Sequence, residues 1–140
     1  MIHINLANGE LKCGEWIFSP VTKLSVLKDT LGPIEMEPWV SNQKWVSYRL
    51  NRNREFVCVV QFYDDILYLV DIYPKVSDDR YTGRLHVDRV EVLLLLKELG
   101  GENTYPWGSV SLFNDVKGGF KSAGVTYKQS VLEGVQNFNQ

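Results

Sequence analysis

Two cysteines, two histidines and no long apolar run set the first limits on this chain. A disulfide framework or a zinc site needs more thiols, or thiols and imidazoles in clusters. Cys13 and Cys58 lie far apart, and His3 and His86 stand in unrelated contexts. No apolar run exceeds five residues, the length of residues 92–96, which is far too short to cross a bilayer. The first ten residues lack a basic n-region, an apolar h-region and a lipidation cysteine, so a reduced, cytoplasmic protein is expected. Charge of one sign is also missing. Fifteen basic side chains against seventeen acidic ones leave −2, which argues against nucleic-acid binding through a basic face.

Motifs of chemistry are equally scarce. No G-x-S-x-G elbow occurs, and the Gly100-Gly101 and Gly118-Gly119 pairs lack the lysine of a phosphate loop. Alternating oxygen ligands ending in glutamate, the mark of a calcium loop, are absent too. No cofactor or metal is therefore expected. Paired carboxylates do occur, as Asp64-Asp65 and Asp78-Asp79. A general acid would need one of them in a dry pocket, whereas adjacent turn aspartates commonly bond the local backbone in water.

What is present is the material of a folded domain. At 140 residues, 44% of them hydrophobic and 23% charged, the chain suits one compact unit spanning 1–140. Folding at this length buries roughly two-thirds of the extended chain's surface. Residues 1–18 predict a hairpin, with Ile2, Ile4 and Leu6 alternating ahead of an Asn8-Gly9 turn and residues 11–18 returning. Thr22 is placed to cap a helix carrying Leu24, Leu27 and Leu31, which Gly32-Pro33 would stop. Residues 33–43 then read as a loop.

Three strands of an antiparallel meander follow at 45–50, 56–63 and 66–73. Alternation puts Val46, Tyr48 and Leu50 on one face of the first. Phe56, Cys58, Val60 and Phe62 share a face of the second, and Ile66, Tyr68, Val70 and Ile72 a face of the third. Cys58, between two valines, reads as a buried free thiol. Asp88-Arg89-Val90-Glu91 matches a capping box, and the helix running to Leu99 is apolar nearly all round, which predicts burial on several sides. Later strands are expected at 107–113 and 124–128. Each helix ends in a Leu-rich turn with glycine and is followed by Pro-Trp and a strand pair, which suggests a tandem helix-plus-hairpin repeat. The class is α+β, with two helices on an antiparallel sheet.

Two surface features point outward. Acidic residues outnumber basic ones between Asp64 and Glu91, so turns bearing Asp64, Asp65, Asp78 and Asp79 beside Tyr81 would make one end of the sheet acidic and able to steer a basic partner. Trp39 sits in a proline-flanked stretch, placed either to plug the end of the sheet or to anchor an interface.

The stretches Gly14 through Thr22, Phe56 through Leu67 and Tyr105 through Val110 resemble small bacterial immunity proteins of polymorphic-toxin and contact-dependent growth inhibition systems. The resemblance covers most of the chain and implies a protein that binds and blocks a cognate toxin by steric and electrostatic occlusion. Asp64, Asp65, Asp78, Asp79, Tyr81 and Trp39 are the contacts this reading selects. The alternatives are a small hydrolase-like enzyme using a paired aspartate, and a scaffold that associates through a sheet edge.

Overall fold

The computed structural model describes residues 2–42, 44–50, 56–74, 89–114 and 121–128. The first half holds β1 (Ile2–Ile4), β2 (Leu11–Cys13), β3 (Trp16–Phe18), α1 (Leu24–Leu31) and β4 (Met36–Asn42). Then come β5 (Trp45–Leu50), β6 (Phe56–Tyr63), β7 (Ile66–Pro74), α2 (Arg89–Glu98), β8 (Asn103–Tyr105), β9 (Gly108–Asn114) and β10 (Lys121–Tyr127). The strands β1-β2-β3 form one small sheet, and a seven-stranded sheet runs β4-β5-β6-β7-β10-β9-β8. All pairings are antiparallel, so the architecture is the expected α+β arrangement. Each helix precedes a hairpin at one edge of the large sheet, and the two halves meet where β7 pairs with β10. The two Pro-Trp pairs are not equivalent: Pro38-Trp39 lies inside β4, whereas Pro106-Trp107 forms the turn between β8 and β9.

The meander forms where alternation predicts it. Tyr48, Leu50, Cys58, Val60, Phe62, Val70 and Ile72 are buried on one face, joined there by Val110, Ala123, Val125 and Tyr127. The face assignment changes in β7. Gln61 pairs with Leu69 but Phe62 pairs with Leu67, so Tyr68 is an extra residue. Such a bulge shifts the phase of alternation by one, and Leu67, not Ile66 or Tyr68, enters the core.

Over this buried face lie the small sheet and the helices, with Ile2, Ile4, Leu11, Cys13, Trp16, Phe18, Leu27, Leu95 and Leu99 in one continuous core. Residues 11–18 are not a single return strand. Gly14, at φ 61°, turns the chain so that β3 folds back on β2, and the buried residues Cys13 and Trp16 are three apart rather than two or four. Residues 33–43 are mostly strand rather than loop. The proline and a bulge that leaves Trp39 without a register partner disguise β4, which is an edge strand where both are tolerated. The helix α2 buries Val92 and Leu95, with Leu99 just past its end, while Leu93 and Leu94 are exposed at 44% and 57%. Burial on several sides is thus corrected to burial on one. Asp88 of the expected capping box, the 51–55 link and the tail beyond 128 lie outside the described residues.

The start of α1 also differs from expectation. Thr22 does not cap it; its Oγ1 accepts from the Ser19 amide at 2.8 Å, and Lys23 holds the cap position without a side-chain bond. The β6–β7 turn supplies the missing acceptor. Asp64 and Asp65 both take positive φ, 49° and 72°, the geometry of a two-residue hairpin turn that aspartate tolerates. Asp65 then accepts the Ser25 amide on Oδ1 and the Ser25 hydroxyl on Oδ2, each at 3.0 Å, while its carbonyl accepts the Leu24 amide at 2.8 Å. A carboxylate there also faces the positive end of the helix dipole. Asp65→Ala is therefore expected to cost about 1 kcal/mol of stability, read as a lower urea midpoint.

Candidate functional site

The Asp64-Asp65 turn stands beside the entrance of α1 because two strand-like contacts tie them: Leu67 donates to the Thr22 carbonyl at 2.9 Å, and Lys23 bridges to Ile66. From that end a groove of about 350 Å³ runs between β3 and α1, lined by Glu15, Trp16, Ile17, Val21, Val26 and Leu27 among others. Ile17, Val21 and Val26 are exposed at 57%, 78% and 60%. These three residues make an apolar surface, and at the end where Lys23 lines the groove the Asp64-Asp65 turn stands beside it. An apolar centre with a charged margin is the usual composition of a protein contact surface. The Trp16 indole, which floors the groove, is fixed by donating to Glu35 Oε1 at 2.8 Å. Sequence reasoning missed the groove, because its residues come from two elements that only the tertiary fold brings together.

Of the residues selected from the sequence, Asp64 and Asp65 are both solvent-exposed at this end, with the Asp65 carboxylate engaged by Ser25. Neither sits in the dry pocket that a general acid needs. Trp39 is 57% exposed on the edge strand, three residues before the end of β4. Asp78, Asp79 and Tyr81 lie outside the described residues. Among the described residues, no three His, Cys, Asp or Glu side chains gather as a metal site would require, and no helix is long and apolar enough to cross a membrane.

The second face of the large sheet carries a different set. Both helices and the small sheet join the core on the opposite side, and here Trp45, Arg49, Val57, Val59, Gln61, Tyr63, Leu69, Asp71 and Tyr73 are half-buried. The Trp45 ring centroid lies 4.7 Å from that of Tyr63 and 5.2 Å from that of Tyr68, which the bulge releases from the core. Val59 pairs with Arg49 on one side and Asp71 on the other, so the two charges flank it on one face. Arg49 Nε and Asp71 Oδ1 are buried without a hydrogen-bond partner. Burial pushes the Asp71 carboxyl above its ordinary 3.8, and the hydroxyls of Ser122 and Tyr73, the latter donating to Oδ2 at 2.9 Å, pull part of the way back.

A raised native value means that the folded protein holds the Asp71 proton more tightly than the unfolded chain does. Stability from this group is present below 3.8 and falls as pH climbs through the raised value. Asp71→Asn keeps an oxygen for Ser122 and Tyr73 but never charges. The variant is expected to melt at a higher temperature than the parent at neutral pH. The advantage should vanish in acid, which parallel melts across the pH range will show.

No family model matches the chain, and no curated protein matches it. A chain of the solved structure described as "Rhs1-CT in complex with cognate immunity protein RhsI1" superposes with a TM-score of 0.61 at 9% identity, over 99% of this chain and 95% of that one. At such identity the likeness is one of fold, and it spans the small sheet, both helices and the large sheet together. The architecture assembled here from bulges, turns and a two-sheet core is thus one also found in a complex between an immunity protein and its cognate partner.

Proposed function

We propose that this chain is a cytoplasmic immunity protein that binds a cognate toxin domain and occludes it. The observation that supports this reading above all is the full-length fold match to a chain from an immunity complex, in agreement with the motif resemblance. Such a role asks only for a complementary surface, and the exposed Ile17, Val21 and Val26 offer an apolar centre, with Lys23 and the neighbouring Asp64-Asp65 turn as its charged margin. Asp64 offers its carboxylate to a basic partner, and Asp65 holds the turn and helix in place. Trp39 on the edge strand, with Asp78, Asp79 and Tyr81, completes the set of proposed contacts.

Co-expression with the toxic C-terminal domain of a neighbouring effector gene tests the role. Growth should be rescued by this chain and not by an unrelated immunity protein; continued killing at full expression would refute the proposal. Asp64→Lys is expected to weaken the purified complex by about tenfold or more while leaving the circular dichroism spectrum unchanged, because a reversed charge repels the same basic partner. An unaltered affinity would remove Asp64 from the interface.

A further inference from the structure

Cys13 lies on β2 of the small sheet and Cys58 on β6 of the large one, and both side chains are fully buried. Their Sγ atoms are 3.7 Å apart, in van der Waals contact across the interface between the two sheets. We propose that this pair is a modification site: exposed to a hydroperoxide, the two thiols close an intramolecular disulfide that staples the sheets together. The inference holds whatever the chain binds.

The fold brings the two sulfurs into contact. These are the only two cysteines of the chain, so a sulfur oxidised at either position meets one thiol and no competitor. A sulfur–sulfur bond of about 2.05 Å asks sulfurs that already touch to approach by about 1.65 Å. The reaction balances with a hydroperoxide as oxidant. One sulfur attacks the peroxide O–O bond, giving a sulfenic acid and water. The second sulfur then attacks the sulfenic sulfur and expels a second water, so that two thiols and one hydrogen peroxide become one disulfide and two waters. Burial pushes the Cys58 thiol up, which keeps it protonated and slow in the closed protein. Oxidation is therefore gated by transient separation of the small sheet from the large one. Once closed, the bond makes that separation far harder.

The test treats the purified native chain with hydrogen peroxide, blocks remaining thiols in denaturant and digests with trypsin. The expected product is a cross-linked peptide joining the segment after Lys12 to the segment after Arg54, about 2 Da lighter than the two reduced peptides combined, and split by dithiothreitol. The urea midpoint of the oxidised parent should rise and return on reduction, and Cys13→Ser should show no such rise. Two blockable thiols after an exposure that oxidises the denatured chain, cysteines carrying added oxygen, or disulfide-linked dimers would each overturn the proposal. If Cys13→Ser does not fold, the peptide measurement on the parent chain still decides.

Discussion

Gly9→Ala is expected to lower stability by about 3 kcal/mol, from two causes that add. The residue takes φ +80°, where any side chain is strained. A Cβ there would also stand 2.6 Å from Cδ2 and 2.7 Å from Cε3 of Trp107, inside contact distance of a ring that is itself hemmed in. Nor is the turn free to lift away. The Gly9 amide donates to the Asn5 carbonyl at 2.7 Å, and the Gly9 carbonyl accepts the Tyr127 hydroxyl at 2.8 Å. Burial pushes the Tyr127 phenol well up, so it stays a donor throughout the working pH range. The loop between β1 and β2 is thus a clamp that holds the small sheet on the large one. Urea unfolding should show a lower midpoint with an unchanged slope.

Trp107→Ala is expected to cost about 4 kcal/mol, the range of a large buried aromatic truncation. The indole stacks on Tyr105 with centroids 4.9 Å apart and planes at 5°, and it meets Tyr127 at 5.9 Å. Its Nε1 donates to the Leu6 carbonyl at 2.8 Å, so the substitution opens a cavity and leaves a backbone acceptor without its donor. The two variants should not add. With the indole gone, the Gly9→Ala clash disappears and only backbone strain of about 1 kcal/mol remains, leaving a coupling near 2 kcal/mol. Additive costs would show that Gly9 and Trp107 act separately.

How much of this was legible beforehand follows from where the information resides. The strands β5, β6 and β7 stood out because period-two alternation is local, and Asp64-Asp65 announced their turn. The edge strand β4 did not, because Pro38 and the bulge at Trp39 break the alternation that would mark it. Alternation alone puts Tyr68 on the same face as Val70; the bulge opposite Gln61 and Phe62 that separates them is set by pairing across strands, which one segment cannot reveal. Leu93 and Leu94 looked buried because an apolar run carries no sign of how many neighbours it will meet. The valines on either side of Cys58 mark it as buried, which it is, but its contact with Cys13 arises only when two sheets pack. For the same reason the role of Asp65 at the start of α1 escaped notice, since its partner Ser25 is 40 residues away. The acidic turn was legible as a feature, and its apolar neighbour was not: Ile17, Val21 and Val26 belong to no common local pattern.

The measurement that bears most directly on the account is hydrogen exchange of the purified chain with and without the toxic domain of the adjacent effector, alongside assay of that domain's activity. A stoichiometric complex in which the Asp64-Asp65 turn and the first turn of α1 gain protection, with the toxic activity suppressed, is the predicted result. Failure to form a complex, or a complex that leaves the activity intact, would contradict it.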